Sequence, residues 1–216
     1  MITLYHCVDA RSFRPLWALE ETRTPYELKI LPFPPRVRDR AYLEINPLGT
    51  IPAFFDGDVA MTESAAIVEY VCNLYGDGAL SVTPGKPGYG AYLNYLHFGE
   101  ATLTFPQTLV LRYSRFEPPE RRQPQVAADY RKWFLARLGG VERALQYRDW
   151  LCDGRFTGAD ISVGYALLLA ASLGMESDFP PAVAAYWARL QARDGFRRAK
   201  ASQAKAAGEA GIGATL

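Results

Sequence analysis

Cysteine and histidine are scarce in this 216-residue sequence. The three cysteines, Cys7, Cys72 and Cys152, are odd in number and far apart. That pattern excludes a disulfide framework and favours a reducing, cytoplasmic setting. No C-x-x-C occurs, which argues against a dithiol redox centre. Only His6 and His97 accompany the cysteines, no zinc-ligand spacing arises, and no metal site is expected. An excess of charge is also missing. Lys and Arg number 24 against 23 Asp and Glu, so nothing pulls the chain toward nucleic acid or a membrane surface. "RVRDR" and "RDGFRR" read as solvated helix faces. No run approaches the ~18 apolar residues of a membrane span. The opening "MITLYHC" has neither the basic region nor the long apolar segment of a secretory signal. No internal repeat is visible, and "GK" in the glycine-rich stretch lacks the P-loop spacing.

What is present divides by texture. Hydrophobic residues make up 49% of the chain and charged ones 22%, enough to bury a core of ordinary size. Residues 1–78 alternate between strand and helix signals. "ITLYHCV" and "YELKILP" predict strands, and "SFRPLWALEET" and "DRAYLEI" predict helices. "IPAFFDGDVAMTE" predicts a hairpin turning at Asp56-Gly57. "ESAAIVEYVCNLY" predicts a helix burying Ala66, Ile67, Tyr70, Val71 and Leu74. The order β-α-β-α-β-β-α implies a small α/β domain with helices packed on a sheet. Residues 79–88, dense in Gly and Pro, predict a linker. Residues 89–216 read as all-helical. "FTGADISVGYALLLAASLGM" predicts a buried central helix, capped by Thr157 and Asp160 in the manner of a capping box. "PPAVAAYWARLQARDGFRRAKA" reads as one amphipathic stretch, and the final "AAGEAGIGATL" as a frayed end.

Three stretches carry a resemblance. "NPLGTIPAFFDGD", the following "TESAAIVEYV" and, far downstream, "FTGADISVGYALL" are similar to the glutathione S-transferases over nearly the whole chain. "LYHCVDARSFRPLWALEE" looks like that family's first strand and catalytic-loop helix, in the form of a bacterial-type cytosolic member. The resemblance implies a thioredoxin-like α/β domain, an all-α second domain, a homodimer, glutathione as co-substrate and an electrophilic hydrophobic small molecule as second substrate. Detoxification is the role that such chemistry implies.

The implied site has a physical reading. Pro52 cannot complete a central strand ladder. A cis bond at Ile51-Pro52 would bend the chain and expose the backbone of Ile51 for pairing with a peptide-like ligand. Thr50 lies beside it. Ser64, at a helix start, suits the carboxylate of the γ-glutamyl end, and Glu63 its ammonium. Arg36 and Arg38 are candidates for the ligand's glycine carboxylate. Thiol activation requires stabilising the thiolate. Lowering a pKa near 8.5 by about two units takes ~2.7 kcal/mol, within reach of one charge-assisted hydrogen bond. The donor stays open. Ala10 stands where many members place a catalytic Ser, and Arg11 where a bacterial subgroup places Cys. Ser12 is the nearest hydroxyl, and its plain reading is a helix N-cap. Ser12 and Arg11 are therefore the candidate catalytic residues, with Tyr5 and Cys7 read as packed. The second substrate is expected near the aromatic-rich segment with His97, Phe98, Phe105 and Tyr113. A glutathione-dependent isomerase or reductase, and a non-catalytic binding or interaction module, remain as alternatives.

Overall fold

The computed structural model describes residues 1–213. Two compact units emerge: Met1–Ser81 together with the chain from Gln191 on, and Val82–Leu190. The expected division placed everything after residue 88 in the helical domain. The return of the last helix to the first unit departs from it. The cause is packing between segments far apart in sequence, described below.

The first unit begins with β1 (Ile2–His6), α1 (Phe13–Thr22) and β2 (Tyr26–Ile30). The short helices α2 (Pro35–Arg38) and α3 (Tyr42–Ile45) follow, then β3 (Ala53–Asp56), β4 (Val59–Met61) and α4 (Ser64–Tyr75). The four strands run in the order β2-β1-β3-β4. β1 pairs parallel with β2, Ile2 opposite Tyr26, and antiparallel with β3, Leu4 opposite Phe54. The hairpin turns where expected, with Gly57 at φ +57° closing the Asp56–Val59 pair. Alternation along β1 sends Ile2, Leu4 and His6 into full burial. α1 buries Phe13, Leu16, Trp17 and Leu19.

On α4 the buried stripe is rotated from the expected one. Ser64, Ala65, Ile67, Val68, Val71 and Cys72 face inward, and Leu74 is 59% exposed. A continuous apolar run fits two adjacent faces equally well by period, and packing against α1 selects between them. α2 carries the start of "RVRDR", read as a solvated helix face, and follows cis Phe33-Pro34.

The amphipathic stretch forms two helices, α9 (Pro181–Gln191) and α10 (Asp194–Glu209), parted at Ala192-Arg193. α10 lies on α1: the Phe196 ring meets Trp17 at 5.0 Å and Phe13 at 5.5 Å, both edge-on. Arg193 reaches both carboxylate oxygens of Glu21 at 2.8 and 2.9 Å. α10 continues to Glu209, so the fraying expected from residue 206 does not begin there, and residues 214–216 lie outside the described chain.

In the second unit, α5 (Tyr89–His97) leads through a π-helical stretch, Phe98–Thr104, into α6 (Phe105–Leu111) and a second such stretch, Arg112–Phe116. The helical reading of this region holds, without the π-helical breaks being visible in the sequence. Side chains interrupt its regular ladder. The Ser162 hydroxyl donates to Leu96 O at 2.6 Å, the Thr104 hydroxyl donates to Gly99 O at 2.7 Å, and Pro106 has no N–H to give. Gly99 allows the approach that makes the first of these possible, since a Cβ there would lie 2.5 Å from the Ser162 backbone. α7 (Pro124–Leu145) and the buried α8 (Gly158–Ser172) follow. The Thr157–Asp160 capping box is formed. Asp160 is its hub. Oδ2 accepts the Thr157 N–H at 2.8 Å and the Thr157 hydroxyl, and Oδ1 accepts the Leu151 N–H and the Tyr186 hydroxyl. No helix among the described residues is long and apolar enough to cross a membrane.

Candidate functional site

The chain leaves the sheet at His6 and turns through residues 7–12 before entering α1. This loop closes on itself. The Ser12 hydroxyl accepts the Cys7 N–H at 3.2 Å and donates to Cys7 O at 3.4 Å. Ala10 N–H donates to Cys7 O at 3.1 Å, and Phe13 N–H to Ala10 O at 2.8 Å. Ser12 is fully buried, and as the residue before α1 it makes no side-chain cap bond. The N-cap reading of Ser12 is thus corrected: its hydroxyl holds the loop closed instead of capping the helix. The same commitment weighs against it as a direct donor to a ligand. Arg11, next to it, is partly exposed. α1 has no acidic residue in its first turn, so the positive end of its dipole is not offset from within the helix.

Cys7 and Tyr5 sit as expected. Burial pushes the Cys7 thiol up to about 12, so it stays protonated and inert. Tyr5 packs its ring on Tyr42 and Phe55, with centroids 5.7 and 6.1 Å away.

The second element is the approach to β3. Ile51-Pro52 is cis, and β3 starts only at Ala53. Thr50 is exposed, and its carbonyl is fixed by the Tyr42 hydroxyl at 2.7 Å and Asn46 Nδ2 at 2.9 Å. Asn46 also folds the "NPLGT" turn, since its Oδ1 accepts the Leu48 N–H at 3.1 Å. Gly49 completes the turn at φ +62°, where a Cβ would lie 2.8 Å from the Cβ of Arg36. Ile51 and Ala10 belong to one buried cluster with Cys7, Leu31, Tyr42 and Ala53. The first loop and the β3 approach therefore share a base. Arg36 and Arg38 are exposed on α2.

The third element is the start of α4. Glu63 precedes the helix, exposed and extended, and Ser64 is its first residue, almost wholly buried. Beneath them lies a residue the sequence reading passed over. Arg14, on the first turn of α1, is fully buried and donates from Nη1 to Ser64 Oγ at 3.1 Å. Burying a guanidinium is costly unless it is paired and hydrogen-bonded, and the Ser64 bond is one of the contacts that hold it here. It also fills one acceptor site of Ser64 Oγ, leaving the hydroxyl proton to point elsewhere. The available signal was a lone arginine inside the apolar run "FRPLWAL". Among the described residues no group of three His, Cys, Asp or Glu side chains is placed to hold a metal.

Three findings bear on what these features define. Residues 4–79 match the family model described as "Glutathione S-transferase, N-terminal domain". Glutathione S-transferase 3 of Schizosaccharomyces pombe is 38% identical over 106 residues, covering 48% of this chain and 43% of the relative. Glutathione S-transferase 2 of Anopheles gambiae is 31% identical over 140 residues, 63% of this chain and 64% of the relative. The chain thus spans less than two thirds of either of these curated relatives. Among solved structures, glutathione transferase URE2P6 of Phanerochaete chrysosporium, in complex with oxidized glutathione, superposes with a TM-score of 0.82 at 28% identity, covering 94% of this chain and 96% of that one. Ure2p5 of the same organism, cocrystallized with 1-(S-glutathionyl)-2,4-dinitrobenzene, gives 0.82 at 25% identity, with 96% of each chain covered.

The α/β unit with its mixed four-stranded sheet and the helical unit are the architecture of these proteins. Residues 4–79 match the glutathione S-transferase N-terminal domain, and the chain as a whole is similar in fold to glutathione transferases.

Proposed function

We propose that this chain is a transferase that binds glutathione across Thr50–Pro52 and Glu63–Ser64, activates its thiol beside the first loop, and conjugates it to an electrophilic hydrophobic small molecule. The observation that carries this reading is the buried Arg14 under Ser64. It holds the serine oxygen from below, so the serine proton and the first amides of α4 together suit an incoming carboxylate. Glu63 answers the adjacent ammonium. Ile51 offers its backbone to the middle of the tripeptide as an added strand would. The cocrystallized conjugate of Ure2p5 supports an aromatic electrophile.

Thiolate stabilisation falls to Arg11 and the first amides of α1, because the Ser12 hydroxyl is committed to Cys7. A nearby cation favours the charged form of the thiol. Conjugation of glutathione to a halogenated dinitrobenzene, followed by absorbance, is expected to exceed the uncatalysed rate. Arg11→Ala is expected to reduce it roughly tenfold, equivalent to about one pKa unit of lost thiolate stabilisation. A rate equal to the uncatalysed one sinks the transferase reading. The engaged Ser12 hydroxyl favours one second reading, a glutathione-binding module without catalysis, and the same assay separates the two.

The proposed assembly is a homodimer in the cytoplasm. Exposed apolar residues on β4 and α4, Val59 and Leu74, support the first point. Three free, buried cysteines are compatible with the second. Light scattering at micromolar concentration is expected to give twice the mass of one chain, and a single-chain mass contradicts the dimer.

A further inference from the structure

The loop that closes on Ser12 from within is also gripped from outside by α10. Gln203 is almost wholly buried there. Its Oε1 lies 2.9 Å from His6 Nε2 and accepts the Asp9 N–H at 3.1 Å, and its Nε2 donates to Asp9 Oδ1 at 2.6 Å. Turning the amide over would set its NH2 against the Asp9 N–H and its oxygen against a carboxylate, so this orientation is the one that satisfies all partners. It also fixes the histidine tautomer, since the proton of His6 must sit on Nε2. Burial lowers His6 to about 4, which keeps the ring neutral and the arrangement constant through the physiological range. One turn earlier, Lys200 Nζ reaches both oxygens of Asp9 at 2.7 and 2.9 Å. Asp9 itself is held at φ +52°, a left-handed conformation that a non-glycine residue keeps only when its surroundings impose it.

We propose that Gln203 and Lys200 are positioning residues for the first loop: by holding Asp9 they place Ala10 and Arg11, and α10 thereby governs how the bound thiol is activated. The thiol part rests on the glutathione reading above. The docking of α10 does not depend on these two residues, because Phe196 and the Arg193–Glu21 pair anchor it independently. Substitutions at 200 and 203 therefore address the grip separately from the fold.

The experiment compares Gln203→Ala, Lys200→Met and the charge-preserving Lys200→Arg with the parent protein. Amide hydrogen exchange over residues 7–13 is read first. The first two variants are expected to exchange there about tenfold faster, with the amides of α10 unchanged. Absorbance titration of bound glutathione is read second. Its thiol pKa is expected to rise by roughly one unit in both, while calorimetric affinity for glutathione changes little. Lys200→Arg is expected to retain parent behaviour in both readings. Unchanged exchange and titration in Gln203→Ala and Lys200→Met, with glutathione bound, overturn the positioning role alone. Failure of the parent protein to bind glutathione overturns the functional reading and the thiol part of this proposal with it.

Discussion

Replacing Asp160 by alanine is expected to lower the unfolding free energy by about 3–5 kcal/mol, the range for removing one member of a buried charged network. The substitution leaves the Leu151 and Thr157 N–H groups and the Tyr186 hydroxyl without their acceptor at the head of a fully buried helix. Asparagine rescues little, because its NH2 group has to face either Thr157 or the Leu151–Tyr186 pair, all of them donors to the native carboxylate. Thr157→Ala removes one capping hydroxyl and leaves the hub, so only ~1 kcal/mol is expected. Chemical denaturation of the three variants checks this ranking. A loss at Asp160→Ala no larger than at Thr157→Ala would falsify the hub assignment.

The same carboxyl sets a pH signature. Burial raises it from 3.8 to about 6. The folded chain therefore takes up this proton at higher pH than the unfolded chain does. Its contribution to stability rises as pH falls from about 6 to about 4 and is lost again as pH rises through 6. The stability difference between the parent and Asp160→Asn is expected to move in the parent's favour over that window.

The second large effect concerns ligand affinity. Ser64→Ala and Glu63→Ala are each expected to weaken glutathione binding by about 1–3 kcal/mol, roughly 5- to 150-fold. Ser64→Ala removes the hydroxyl that Arg14 holds in place, and Glu63→Ala removes the counter-charge proposed for the ammonium. Calorimetry separates the two, since succinylating the α-amine of the ligand should abolish the Glu63 effect and leave that of Ser64. Unchanged affinity in both variants removes the site from the start of α4.

These two effects differ in how far the sequence discloses them. Thr157 and Asp160 stand three residues apart, so their mutual capping is a local matter, and spacing alone suffices to expect it. The strand and helix order of the first unit is legible for the same reason, as is the Asp56-Gly57 turn. The Arg14–Ser64 bond joins residues fifty positions apart. No local period betrays it, and Arg14 reads as an ordinary charge on a helix until α4 is packed against it. The hold of Gln203 on His6 spans 197 positions and comes from the short stretch between the amphipathic segment and the tail, where no pattern singles it out. Ser12 reads from the sequence as a hydroxyl of the first loop. Its orientation toward Cys7 depends on the closure of that loop, which composition does not encode. The stripe of α4 shows the same limit, because a helix apolar on two faces needs its neighbour to decide which one is buried.

Titration of the bound thiol tests the central claim most directly. Ultraviolet difference spectra in the thiolate band are recorded against pH for glutathione saturating the unsubstituted protein. The expected result is a bound thiol that ionises about one to two units below the ~8.5 of a free thiol, from the cation and helix amides of the first loop. A bound thiol that ionises with free glutathione contradicts activation at this site.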